Sequence, residues 1–403
     1  MTEAIELPQF PFHRTCPFSE PDIYHRSRSE SPITRIRMVD GRPAWLLTRY
    51  EDVRAVLNDR RFSSDKAASD YPVFVVGQKE GLDKSERFLV NMDGAEHAAA
   101  RRAVISEFST RRIAALTPHI QLTVDEAIDK LLELPRPADL VRAVAMPVPA
   151  RLTARLVGVD HTDDGLFQDL TSRSVRHDLS AEERVRFAEE VRAYMDSLVT
   201  AKMACPGDDL LSRQITQQRA EHGEVDVAGL SSLAVLLMIA GQETTAETIA
   251  LGVLSLLTHP DQLAEMTSDP DKVPLAVEEM IRYFTVLDFG PPRLATEDVE
   301  IGGVLIRAGE GVVANIYAAN RDGAVFSAPQ TLDVRRANAR QHLAFGYGPH
   351  QCLGANLVRH ELRIVFETLF RRIPTLRLAV RIDELTFKNE GLIYGVQELP
   401  VTW

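Results

Sequence analysis

A chain of 403 residues, 45% hydrophobic and 26% charged, can bury a large core and has neither a disordered nor a fibrous composition. A formal net charge of -12, with no run of five or more Lys/Arg, excludes a nucleic-acid-binding surface and leaves a small molecule as the expected ligand. No Gly/Ser or Pro-rich linker and no internal repeat divides the sequence, so a single domain over 1–403 is expected. Residues 1–11 lack the basic start and apolar core of a signal peptide, which points to the cytoplasm. The apolar stretch 233–240 is too short for a membrane span and runs into Gly241, Gln242 and Glu243, so no membrane association is expected.

In chain order, residues 44–48 read as a strand, with Thr48 placed to cap a helix over 50–58. Amphipathic helical runs follow over 98–108, 120–132 and 182–203. The stretch 226–257 is apolar on most faces and carries Gly241, Glu243, Thr244 and Thr245 at its middle, as a buried central helix with a polar interruption would. A helix from Pro274 to Phe284 precedes a hairpin, 299–301 with 304–306, turned at Gly302-Gly303. Residues 312–317 read as a strand turning at Asn320-Arg321-Asp322, which removes Gly309-Glu310-Gly311-Val312-Val313-Ala314 from the dinucleotide-binding motifs it mimics. A last helix over 354–370 and a strand-like tail over 375–403 complete the pattern. The class is mainly α with a minor β part: a β-rich lobe at about 30–60, 295–320 and 375–403, and a helical bulk at about 95–285 and 340–372.

Three cysteines, at 16, 205 and 352, stand far apart with no Cys-x-x-Cys pair, so neither a disulfide framework nor a zinc site is supported. Cys352 differs from the others in its surroundings, Phe345-Gly346-Tyr347-Gly348-Pro349-His350-Gln351-Cys352-Leu353-Gly354, which put three glycines and a proline around a thiol at the mouth of a helix. Glycine lets backbone approach a flat partner, and amides at a helix N-terminus favour thiolate. The chemistry suits a thiolate metal ligand, and a buried structural cysteine in a glycine-rich turn is the alternative.

Phe345-x-x-Gly348-x-His350-x-Cys352-x-Gly354 resembles the haem-binding signature of cytochromes P450, and the resemblance extends over nearly the whole chain, closest to soluble bacterial, actinobacterial-type, ferredoxin-dependent members. It implies a long central helix over the haem, a small N-terminal β-rich lobe, haem b as cofactor, and Cys352 as the ligand of its iron. Ala240-Gly241-Gln242-Glu243-Thr244-Thr245 resembles the family's oxygen-activation motif, with Glu243 and Thr244 as catalytic acid and alcohol. His97 and Arg101, four residues apart on one helix face, together with Arg293 and His350, are implied to bind the haem propionates. Phe345, Gly346, Gly348, Gly354, Ala240 and Gly241 are implied to line the cofactor. Glu279 and Arg282 resemble a structural charged pair, with Arg336, rather than its neighbour Arg335, chosen as third partner.

A lipophilic substrate pocket is implied at Phe74, Val76, Phe88, Val90, Leu237, Met238, Val286, Leu287, Asp288, Phe289, Leu392 and Ile393. The implied reaction inserts one atom of O2 into a lipophilic small molecule by hydroxylation or epoxidation, with electrons from NAD(P)H through ferredoxin reductase and ferredoxin. Arg102, Arg359 and Arg363 are candidates to attract that acidic carrier, and a monomer is expected. A peroxide-driven peroxygenase is one rival, opposed by Glu243 and Thr244. A non-catalytic haem protein that binds gas is another, and it would need no proton relay.

Overall fold

A computed structural model describes residues 7–74, 88–159, 170, 173, 180–389 and 391–403. Val76, assigned above to the pocket, lies outside them. The molecule is mainly helical with small sheets, as the periodicities require. Helix Tyr50–Asn58 forms where expected, but Thr48 does not cap it. The Thr48 hydroxyl instead donates to Pro32 O at 3.2 Å, and the Asp322 carboxylate, from far along the chain, accepts the Tyr50 amide at 3.0 Å. The expected 98–108 helix divides into Gly94–Val104 and a 3-10 turn, Ile105–Phe108. Helix Thr110–Glu133 starts ten residues earlier than its expected 120, running through Pro118 because Ile113, Ile120, Val124, Ile128 and Leu131 bury one continuous face.

The central helix, Val227–Thr258, is capped by Asp226, whose carboxylate accepts the Gly229 amide at 2.9 Å. At 32 residues it is about 48 Å long, and by length and composition it could cross a membrane. Its last three turns, Ala246–Leu256, are buried on every side inside the protein. They share one core with helices Thr110–Glu133, Val273–Phe284 and Ala355–Arg372. Its N-terminal half, from Leu230 to Met238, packs in a second core with helices Pro147–Val157, Ala181–Ala204 and Leu210–His222.

A five-stranded sheet runs in the order Ile33–Arg37, Pro43–Leu47, Gly311–Ala314, Pro292–Ala295, Phe62–Ser63. Pro43–Leu47 pairs parallel with Gly311–Ala314 and the remaining pairs are antiparallel. Gly311–Ala314 is central and fully buried, so it reads as an unbroken apolar run. Ile316 and Tyr317, expected in this strand, belong instead to a short helix, Ile316–Ala319, whose Asn315 cap accepts the Ala318 amide at 2.8 Å. The Val299–Ile301/Val304–Ile306 hairpin turns on Gly302 and Gly303, with φ of 54° and 81°, the left-handed pair a two-residue turn demands.

Candidate active site

Residues 343–354 fold into a tight loop feeding helix Ala355–Arg372. The Cys352 amide closes it on Phe345 O at 2.8 Å, and the Gly346 amide on Leu343 O at 2.7 Å. Gly348 has a φ of +72°, and a Cβ there would lie 2.8 Å from Leu57 O, so no other residue fits between the loop and helix Tyr50–Asn58. At Gly354 a Cβ would meet nothing within 4 Å. Cys352 itself faces open space, although it lies deep in the protein. Burial pushes its thiol up, against the pull of the Gly354 amide, the Arg101 and Arg359 charges and the Ala355 amide. The donors expected to favour thiolate are therefore present, but in the protein alone burial outweighs them.

Basic side chains crowd one side of this space. The rings of His97 and His350 lie 4.1 Å apart, and the buried His97 Nε2 has no hydrogen-bond partner among the described residues. Burial, with the neighbouring His350 and Arg101 charges, holds His97 down at about 4. Arg293 is 5% exposed and donates to Pro292 O at 2.8 Å. Neither Arg101 nor Arg293 makes an ion pair among the described residues; burial lowers both. Lys66, which nothing in the sequence marked, joins them, lowered by burial and by the Arg293 charge. Against these stands Asp93: burial raises it, but bonds from His350, Ser63 and the Ser64 amide prevail and hold it at about 2. One carboxylate does not balance this set, and the surplus positive charge fits the two carboxylates of a haem.

The central helix is continuous through 240–245, with its expected polar interruption expressed as side-chain bonding. Thr244, Thr245 and Thr248 donate one turn back to the carbonyls of Ala240, Gly241 and Thr244 at 3.0, 3.1 and 2.7 Å. Residues on both flanks are packed, yet Ile239 is 50% exposed and Ala240 and Thr244 also reach open space. The loop residues Ala344 and Phe345 join one flanking core and Leu353 the other, so the helix is clamped on either side and left uncovered at Ile239 and Ala240, with Thr244 partly exposed one turn on. Glu243 is 6% exposed, and burial, opposed by Lys388 and assisted by Glu247, pushes its carboxyl up to about 7.

The structure brings Glu279, Arg282 and Arg336 together. Arg282 donates to both carboxylate oxygens of Glu279 at 2.7 and 2.8 Å, Arg336 Nε donates to both at 3.0 and 3.1 Å, and the Asp333 amide adds a bond at 3.0 Å. Arg335 points outward, 69% exposed, which decides between the two arginines.

The pocket residues separate into two groups. Val286–Phe289 pairs with 392–394 through Asp288 N to Leu392 O at 3.1 Å and Tyr394 N to Val286 O at 2.8 Å. Phe74 and Phe289 are buried against Phe10 in a core of their own. Phe88 and Leu237 border the second core, Met238 is wholly buried in it, and Val90 is exposed. Asp288 does not reach a pocket: it is 1% exposed in an ion pair with Arg14, whose guanidinium also donates to Phe284 O and Thr285 O and covers the Tyr317 ring. Arg359 is likewise committed, donating to the buried Glu278 at 2.7 Å, whereas Arg102 is exposed.

A thiol facing a cation-rimmed space, together with an acid–alcohol pair on the central helix, matches what the haem-thiolate class requires. The description "Cytochrome P450" belongs to the family model that matches residues 177–376. Cytochrome P450 105A3 of Streptomyces carbophilus is 45% identical over 99% of this chain and 96% of that protein. The vitamin D3 dihydroxylase of Streptomyces griseolus is 41% identical over 100% and 98%. The crystal structure of cytochrome P450 MoxA from Nonomuraea recticatena superposes with a TM-score of 0.93 at 53% identity, covering 98% of each chain. The chain belongs to the cytochrome P450 family, whose members bind haem b through a cysteine thiolate, and it is a monooxygenase.

Proposed function

We propose that Cys352 is the axial ligand, that His97, Arg101, Arg293 and His350 hold the propionates, and that Thr244 and Glu243 deliver protons while one atom of O2 enters a lipophilic small molecule. The observation that carries this reading is the Cys352 sulfur: enclosed by protein, turned to open space, and met by two helix N-terminal amides and Arg101. When bound, haem supplies the oxygen activation and electron-accepting chemistry that no side chain provides.

The chain's own residues do the rest. The Thr244 hydroxyl donates to Ala240 O and retains lone pairs toward the open side, so it can accept a proton-bearing water and then turn its own hydrogen to the reacting atom. Glu243, held near neutrality, is a proton donor that can be recharged at the working pH. The exposed face at Ile239, Ala240 and Thr244 leaves room for small reactants, and the apolar Phe88, Leu237, Val286, Leu287 and Ile393 suit a lipophilic substrate. A role in tailoring secondary metabolites is consistent with similar proteins named pentalenic acid synthase, of Streptomyces avermitilis, and 20-oxo-5-O-mycaminosyltylactone 23-monooxygenase, of Streptomyces fradiae. Electrons come from NAD(P)H through a reductase and a ferredoxin, since the three cysteines are too scattered for an iron–sulfur centre. Exposed Arg102 and half-exposed Arg363 suit an acidic carrier. The full chain is proposed to act in the cytoplasm as one monomeric domain.

The test is the carbon monoxide difference spectrum of the reduced, haem-loaded protein. The thiolate-type band is expected for the native chain and is expected to vanish in Cys352→Ala; its retention there would overturn the assignment.

A further inference from the structure

On the face of the central helix that carries Glu243, one turn further on, sits Glu247, fully buried. A buried carboxylate costs several kcal/mol unless it is paired and hydrogen-bonded. Both needs are met by the two-stranded ribbon Phe387–Lys388/Gly395–Val396. Lys388 Nζ donates to Glu247 Oε1 at 2.5 Å and the Val396 amide to Oε2 at 3.0 Å. The cross-strand partner of Lys388 is Gly395, and a Cβ there would lie 2.0 Å from Glu247 Oε2, so the ribbon seats on the carboxylate only because a glycine occupies that position. The same ammonium stands 3.9 Å from Glu243 Oε1 and is 20% exposed, so it reaches toward solvent.

We propose that Lys388 and Glu247 are positioning residues that set the proton occupancy of Glu243, the ribbon's single ammonium being held by the deeper carboxylate and shared only at longer range with the relay acid. Two carboxylates one turn apart compete for one cation. The short, doubly bonded contact wins the cation for Glu247, and Glu243 is left with a weaker attraction from Lys388 and a repulsion from Glu247. Burial is what raises Glu243, and the Lys388 attraction, only partly offset by the Glu247 repulsion, holds that rise to about 7, so the acid beside Thr244 is partly protonated near neutral pH. Lys388, open to water, is the point at which the cluster meets bulk solvent.

The inference rests on Glu243 being the relay acid, and its test is separable from that reading. Infrared titration of the resting haem-loaded protein follows the C=O stretch of protonated carboxyls against pH, scoring only the band lost in a Glu243→Gln background. The native midpoint is expected near 7. Glu247→Gln removes the repulsion and frees the ammonium, so the midpoint is expected to fall by about one pH unit or more. Lys388→Met is expected to raise it by about as much, and Lys388→Arg to restore it. Midpoints that stay put in Glu247→Gln and Lys388→Met, or that move in the same direction, overturn the proposal, as does a Glu243 that shows no titration between about pH 5 and 9. Should Lys388→Met not fold, Gly395→Ala displaces the ribbon without altering charge and is also expected to raise the midpoint. Failure of the relay reading shows elsewhere, as full product yield per NAD(P)H in Glu243→Gln.

Discussion

Thr244 carries its hydroxyl on a side chain already bonded to Ala240 O, so its stability role is satisfied locally and its second role, toward the open space, can be removed alone. Alanine is the better helix former, and Thr244→Ala should leave folding intact. It should lower product formed per NAD(P)H by about tenfold or more, with the missing electrons recovered as hydrogen peroxide. The assay is a reconstituted ferredoxin and reductase system, using a ligand chosen for its shift of the Soret band; fully coupled turnover would refute the relay. At this scale the sequence was most informative where a motif packs several chemical types into a few residues, as at 240–245 and 345–354. It failed where one residue meets a partner hundreds of positions away. Asp288 was placed among apolar pocket residues, but its partner Arg14 lies on the N-terminal segment, 274 residues before it. Lys388 was equally invisible, and Glu247, four residues past Glu243, was the one hint of the buried cluster.

The Glu279 network shows how elements, rather than residues, are locked. Helix Val273–Phe284 supplies Glu279 and Arg282, and the segment leading to the Cys352 loop supplies Arg336, which also donates to Ser327 O, Ala328 O and Thr331 O. Arg282 reaches Asn320 O at 2.7 Å and Pro329 O at 3.1 Å, so one carboxylate organises the whole 320–336 segment through two fully or nearly fully buried cations. Glu279→Ala would strand both guanidinium groups. A loss of about 3–5 kcal/mol is expected, with haem content falling alongside, measured by urea unfolding and by the pyridine haemochrome of the purified protein. Helices were legible because a 3.6-residue apolar period is local, as at 50–58, and the 299–306 hairpin because its Gly302-Gly303 turn is equally local. The parallel pairing of Pro43–Leu47 with Gly311–Ala314 spans more than 260 residues and leaves no local trace. The displaced cap of Tyr50–Asn58 has the same origin, because Asp322 rather than Thr48 completes its first turn.

Taken whole, the molecule buries acids of opposite behaviour, and its stability must peak between them. Glu278 is raised by burial but pulled lower overall by His342 and Arg359, so its contribution is present above the unfolded carboxyl value and is lost as pH falls through the folded one. His342, wholly buried, is lowered by that burial and must take up a proton on unfolding below its ordinary value of 6.5, which erodes the same acid side. Glu361 acts in the other direction. It is 3% exposed on helix Ala355–Arg372, and burial alone pushes it up to about 8 from an ordinary 4.5. The folded state therefore holds a proton that the unfolded chain has released, and stability declines as pH rises from about 4.5 to about 8, then levels. A net charge of -12 adds self-repulsion over the same range. Glu361→Gln keeps the shape and removes the proton, so its melting temperature should match the native protein near pH 5 and exceed it at pH 8, by several degrees in scanning calorimetry. An unchanged difference across that range would mean that Glu361 is ionised in the fold and compensated by a partner.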